Sequence, residues 1–220
     1  MTEKLTAPDA EPPLRSLKRT LRKLAWMAGI RRSYGKYGVE RQEHLGGYWQ
    51  GGDPNTHCPE LWTTVVREYV IKSAIDVGCG EGYSTRFLSD LGVDVLGIEG
   101  GKQAIKNSPV AHLIVRHDYT KGAYIPRAGV DLIWCCEFVE HVEERFLGNF
   151  LATFAAGRFC LMTHAFPGQE GFHHVNCQPS EYWIEKLASI GVTHDPVGTD
   201  RFRALTEAKH VKRSLLFFHK

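Results

Sequence analysis

The sequence predicts a doubly wound α/β domain with a single core, preceded by an N-terminal extension, and three observations carry that expectation. First, a short apolar run reaches Asp76 and then breaks into glycines at alternate positions, Gly78, Gly80 and Gly82, before Tyr83-Ser84-Thr85 opens a helical pattern. A strand feeding a glycine turn feeding a helix lets backbone N–H groups approach a ligand that side chains would block. Second, apolar stretches of strand length alternate with helical ones from there onward, and their ends carry Glu99, Asp118, Glu137 and His164. That alternation is the pattern of βαβ units in a mostly parallel sheet. Third, 220 residues with 43% hydrophobic and 24% charged content suffice for one well-cored domain and an extension.

Composition narrows the class. No apolar run approaches the ~20 residues that span a bilayer, and the N-terminus lacks the basic, apolar, small-residue succession of a secretory signal. The six cysteines (58, 79, 135, 136, 160, 177) contain no C-x-x-C pair. A reduced, cytoplasmic protein is therefore expected, not a disulfide scaffold. The net charge of +2 conceals an asymmetry: residues 14–36 carry Arg15, Lys18, Arg19, Arg22, Lys23, Arg31, Arg32 and Lys36 and no acid.

In chain order, residues 1–13, with Pro8, Pro12 and Pro13, read as a disordered tail. Leu14, Leu17, Leu21, Leu24, Ala25 and Ala28 recur at helical spacing and predict a helix with a basic face. That face is either solvated or a contact for phosphate, on RNA or on an anionic membrane. Residues 33–60 are rich in Gly, Tyr, Trp and His and read as a lid over a cofactor or as a structural loop. From Pro59, the apolar positions Leu61, Trp62, Val65 and Val66 predict a helix leading into a first strand that includes Tyr69-Val70-Ile71 and Ser73-Ala74-Ile75. After the helix of residues 83–91, Val93–Ile98 is the second strand and ends at Glu99, about twenty residues beyond the glycine turn, where a doubly wound fold places a carboxylate on ribose hydroxyls. A helix over 101–107 leads to a third strand, 112–116, followed by His117-Asp118-Tyr119. The fourth strand, 130–135, runs into Cys136-Glu137, and the fifth, 158–163, ends at His164. A helix over 180–190 capped at Pro179-Ser180-Glu181, a strand at 192–193, a helix near 200–209 and a closing strand over 214–218 complete the chain.

The G-x-G-x-G spacing, with Asp76 two residues before the first glycine, is not the dinucleotide G-x-G-x-x-G. It resembles the first motif of the class I S-adenosylmethionine (SAM)-dependent methyltransferases, and the resemblance covers roughly residues 60–220. It implies a Rossmann-like, seven-stranded, mostly parallel sheet with an antiparallel last strand. It further implies that Asp76, Gly78, Cys79, Gly80 and Gly82 meet the methionine end of SAM. Glu99 and Gly100 would hold the ribose, Asp118 would accept from the adenine amino group with Tyr119 against the ring, and Cys136 and Glu137 would complete the cofactor site.

Glu137, Glu140 and His141 stand at i, i+3 and i+4, which one helical turn would place on a common face. Two carboxylates and an imidazole at a strand end suit a divalent cation with mixed oxygen and nitrogen ligands. This E-x-x-E-H run is similar to that of the ubiquinone-pathway and small-RNA 2′-O-methyltransferases, which implies a cation, Mg or similar, on Glu137, Glu140, His141 and His174. It is equally similar to metal-free methyltransferases in which the His is structural or a base. A hydroxyl is a poor nucleophile near neutral pH, so an imidazole base or a metal is expected beside it; His141, His174, His173 and His164 are the candidates. Three functions fit: O-methylation of a small molecule or glycan, ribose methylation of RNA docked on residues 14–36, or a SAM-binding module without catalysis.

Overall fold

The computed structural model describes residues 37–40 and 42–220; the expected tail and basic helix lie outside the described residues. By its internal contacts the chain divides into residues 1–37 and 38–220, so that residues 38–60, expected to precede the domain, fall in the second unit.

A two-stranded ribbon opens the described chain, β1 (Tyr37–Val39) and β2 (Gly47–Trp49). Helix α1 (Pro59–Glu68) begins with proline, whose fixed φ suits the first turn, and buries Leu61, Trp62 and Val65. It runs to Tyr69, and Val70 turns the chain with φ +52°. The first strand of the main sheet is therefore β3 (Ser73–Val77) alone, and Tyr69-Val70-Ile71 is a helix end and turn. The apolar character read there as strand belongs to Tyr69, whose ring packs on Phe159, Phe202 and Phe217.

From β3 the chain alternates through α2 (Tyr83–Asp90), β4 (Asp94–Glu99), α3 (Lys102–Asn107), β5 (Ile114–Arg116), β6 (Val130–Cys135), α4 (Leu147–Phe154) and β7 (Gly157–Met162). It finishes with α5 (Ser180–Ala188), β8 (Thr193–His194), α6 (Pro196–Ala204), α7 (Lys209–Ser214) and β9 (Leu216–His219). The seven-stranded sheet has the order β5-β4-β3-β6-β7-β9-β8. The pairs from β5 to β7 are parallel, and β9 runs antiparallel to both β7 and β8. The order reverses at β3, so the crevice between β3 and β6 opens at their carboxyl ends, where ligands of such sheets bind.

Strand alternation divides the core between the two faces. Ile133 and Cys135 of β6 pack with Phe150, Phe154, Trp183 and Leu187, while Leu132 and Trp134 pack with Trp62, Leu88 and Phe202. Three expectations need local correction. The third strand is shorter than 112–116, because Leu113 closes a 3-10 turn onto the Val110 carbonyl. Ser180 does not cap α5; its hydroxyl instead lies 3.0 Å from His164 Nε2. The single helix near 200–209 is two helices, the first started by Pro196 and by the Asp195 carboxylate accepting from Gly198 N. Among the described residues no helix is long and apolar enough to cross a membrane.

Phe150 is fully buried and touches the rings of Tyr119, Phe138 and Trp183. Phe150→Ala is expected to lower unfolding free energy by about 3–5 kcal/mol in denaturant titration.

Candidate functional site

The glycine turn after β3 is a strained backbone that only glycine tolerates: φ is +72° at Gly78, +56° at Gly80 and +77° at Gly82. A Cβ on Gly78 would lie 2.5 Å from Phe138 Cδ2, whereas at Gly80 it would meet open space. Beneath the turn sits Asp76, 2% exposed, with Oδ2 accepting from Ser84 Oγ at 2.6 Å and Thr85 Oγ1 at 2.7 Å. Burial raises its pKa to about 6 against the pull of those hydroxyls. Asp76 thus ties strand to helix from below and does not line the cleft. Cys79 likewise turns away, its sulfur against Gly97, and Gly82 packs under Val110 and Ile114.

An open cleft of roughly 600 Å³ lies above the turn, lined by Gly78, Gly80, Glu99, Gly100, Asp118 and Tyr119 among others. Glu99 spans two loops: Oε2 accepts from Gly80 N at 2.9 Å and Oε1 from Gly101 N at 2.6 Å. Burial pushes its pKa up to about 7, opposed by these backbone donors. Each oxygen keeps a second lone pair for a hydroxyl. Tyr119 offers the cleft only its ring, because its hydroxyl is 3.0 Å from Thr153 Oγ1 in the core. The chain before α1 supplies a wall that sequence pattern only hinted at: His44, Leu45, Gly46 and Gly47 line the same cleft, as do His117, Thr120, Phe138 and Val142. Further along, Gly51 N donates to Glu81 Oε2 at 2.8 Å.

On the other side of the cleft the four expected metal ligands do not converge. Glu137 has φ +52°, so the backbone leaves β6 through a left-handed residue and coils as a 3-10 turn at Val139–His141. Its carboxylate therefore points elsewhere, with Oε1 accepting from Thr163 Oγ1 at 3.3 Å and Oε2 3.5 Å from His210 Nδ1. His210 in turn lies 3.9 Å from Asp53. Neither His210 nor Asp53 carries a motif that a sequence reader could use.

Glu140, His141 and His174 do converge: one donor atom from each lies within 4.8 Å of the others. Glu140 is fully buried, and neither of its oxygens finds a hydrogen-bond partner among the described residues; His141 Nδ1 is equally orphaned. The indoles of Trp62 and Trp183 are orphaned too, so one orphan alone signals little. Three unpartnered atoms on two adjacent residues of one cluster are different, since each costs about 1–3 kcal/mol if nothing meets it. Burial pushes Glu140 well above the usual carboxylate range, the charge of Glu137 adding to it. Burial also drives His141 down to about 3, with His174 and His173 contributing, so the ring is neutral. His174 is lowered by burial as well, while its Nδ1, 3.1 Å from the Gln169 carbonyl, donates and leaves the lone pair on Nε2. Gly171 makes room for that ring: a Cβ there would come within 2.1 Å of His174 Nε2. His173 is held at φ +52° beside the cluster. His164 lies apart, 1% exposed, bonded to Ser180 and lowered by burial to about 4. Cys136, half-buried with its sulfur 3.7 Å from Thr163 Oγ1, belongs to the packing under Glu137.

Comparison with known proteins agrees with this geometry. Residues 75–152, from β3 into α4, match the model of a family described as a methyltransferase domain. Solved structures of the same fold include a SAM-dependent methyltransferase from Mesorhizobium loti, 14% identical, covering 76% of this chain and 100% of that one with a TM-score of 0.50. The plantazolicin methyltransferase BpumL in complex with S-adenosylhomocysteine (SAH) is 14% identical, with coverage of 76% and 84% and a TM-score of 0.54. The [4+2]-cyclase SpnF is 15% identical, with coverage of 84% and 87% and a TM-score of 0.50. No curated protein matches the sequence. Residues 75–152 thus match a methyltransferase domain, and the described chain has the fold of SAM-dependent methyltransferases.

The Glu99 carboxylate should accept ribose hydroxyls only when ionised. SAH affinity is therefore expected to hold above pH 7 and to fall as pH drops through about 7. Glu99→Gln should bind roughly ten- to a hundredfold more weakly and lose that pH dependence, as calorimetry between pH 5.5 and 8 would report.

Proposed function

We propose that the protein transfers the methyl group of SAM to a hydroxyl of a small molecule or glycan, with a divalent cation on Glu140, His141 and His174. The observation that carries this reading is the buried, unsatisfied carboxylate and two neutral imidazoles beside the cofactor cleft, where His141 is part of the lining. These residues fit a metal. Both imidazoles are neutral, a cation would displace the proton that burial favours on Glu140, and the His174 ring is oriented by a backbone carbonyl, as ligating histidines usually are. Two nitrogens and one oxygen suit a first-row transition ion such as zinc or manganese better than magnesium. Such an ion lowers the pKa of a hydroxyl bound to it.

The chain's own residues would then divide the work. Gly78 and Gly80 let the backbone close on the methionine end of SAM, and Glu99 takes the ribose. Asp118 sits one strand further along, at the tip of β5, and takes the base. SAM supplies a methyl group on a sulfonium, already activated for displacement, so the protein's part is to align the acceptor and remove its proton. Glu137, His210 and Asp53 form a second ionisable group at the acceptor side.

RNA ribose methylation is the alternative, and the eight cations of residues 14–36 favour it. Incubating the protein with labelled SAM and fractionated metabolites, glycans and RNA, with and without chelator, would separate the two. Label in the small-molecule or glycan fraction that chelator abolishes is the expected result; label in RNA with a steep salt dependence would favour the alternative.

Elemental analysis of the purified protein is expected to find one transition ion per chain. His174→Ala, outside the cleft lining, should lose it while SAH affinity stays within about twofold.

A further inference from the structure

Glu40 and residues 42–47 are held against the nucleoside end of the cleft from several sides. Glu40 Oε1 accepts from the free N–H groups of Gln103 at 2.8 Å and Ala104 at 3.1 Å, at the start of α3. Tyr48 Oη is 3.5 Å from Asn107 Nδ2 at the other end of that helix. Leu45 covers Gly100, where a Cβ would come within 2.5 Å of Leu45 Cδ2, and the point at Gly46 where a Cβ would stand is 3.7 Å from the His141 ring.

In this frame His44 Nε2 lies 3.0 Å from Asp118 Oδ2. A carboxylate only accepts, so Nε2 is the donor. The other oxygen, Oδ1, accepts from Thr120 N at 2.9 Å and Thr120 Oγ1 at 2.7 Å. Asp118 is thus gripped from two sides, and its carboxylate plane is fixed by a residue 74 positions away in sequence. Partial burial works against its ionisation, but the hydrogen bonds from His44 and Thr120 outweigh burial and hold its pKa below the usual value. One lone pair of Oδ2 remains uncommitted.

Chemistry indicates what that lone pair meets. With the ribose on Glu99 at the tip of β4, the attached base reaches the tip of β5, where Glu99 is paired with Arg116 two residues before Asp118. An exocyclic amino group there has a proton to donate; a 6-oxo group would set an acceptor against a carboxylate. We propose that His44 is a positioning residue for the cofactor's base: by fixing Asp118 it aims the carboxylate at the exocyclic amino group and sets the discrimination between adenine and a 6-oxopurine. This rests on the reading of the cleft as a SAM site.

The test is calorimetry with SAH and with S-inosylhomocysteine, its deaminated counterpart, on the folded wild-type chain and on His44→Ala, His44→Gln and Asp118→Ala. The wild type is expected to prefer SAH by about a hundredfold, less than a fully buried unpaired group supplies because Asp118 is only partly buried. His44→Ala should weaken SAH binding about tenfold, leave the inosyl ligand within about twofold, and so erode the discrimination. His44→Gln, which keeps an N–H donor, should restore most of it. In the Asp118→Ala background, removing His44 should change nothing further. Equal weakening of both ligands would mean a merely structural contact and overturn the proposal. Tighter SAH binding by His44→Ala would overturn it too, making His44 a competitor for Asp118. A wild type that binds neither ligand would overturn the cofactor reading itself, and the proposal with it. A wild type that binds SAH while His44→Ala discriminates unchanged would overturn the proposal alone.

Discussion

The hydroxyl grip on Asp76 is the contact on which the site depends. A carboxylate 2% exposed is costly to bury, and two short hydrogen bonds from the first turn of α2 are what make it tolerable. Those bonds fix where the helix begins relative to the strand, and three left-handed glycines bridge the gap. With the turn held, Gly80 N points at Glu99, and the carboxylate at the tip of β4 bridges Gly80 and Gly101. The cofactor half of the site is thus a set of acids and backbone donors that satisfy one another before any ligand arrives.

The acceptor half is arranged on the opposite principle. The buried Glu140 carboxyl and His141 Nδ1 have no hydrogen-bond partner among the described residues, and Glu137 is placed by a backbone conformation that a non-glycine residue adopts only under constraint. Strain and unmet polar groups gather at functional sites, because packing elsewhere can hold them in place. Here the constraint comes from Thr163, which accepts from Glu137 N at 2.8 Å, and from the segment 172–176, whose backbone N–H groups bond the Glu140 carbonyl. One half is satisfied in itself; the other leaves polar atoms unmet among the described residues.

How much of this was legible in the sequence follows from the range of the interactions. The alternation of strands and helices could be anticipated, because glycine turns and helix periodicity are local signals; the seven-stranded sheet and its antiparallel finish came from the resemblance, and the strand order only from the structure. Gly78, Gly80 and Glu99 were legible for the same reason. Asp76 was legible as important but not in its role, since a motif does not say whether a side chain faces the ligand or the helix beneath it. The E-x-x-E-H spacing assumed an α-helical turn, and the positive φ at Glu137 removed that residue from the cluster. Tyr69 and Val70 looked like strand because apolarity alone does not separate a helix end packed on aromatic rings from a strand. His44 was visible only as part of the 33–60 segment and His210 not at all: their partners Asp118 and Glu137 are 74 and 73 positions away, and nothing local marks the pairings.

The central claim is that a sulfonium nucleoside lies across the tips of β3, β4 and β5. Amide chemical-shift mapping during titration with SAH tests it most directly. The account predicts saturable shifts at Gly78, Gly80, Gly100, Gly101 and Thr120, fading with distance from the strand tips. Saturation that leaves those amides unmoved, or no response to SAH at millimolar concentration, would contradict it.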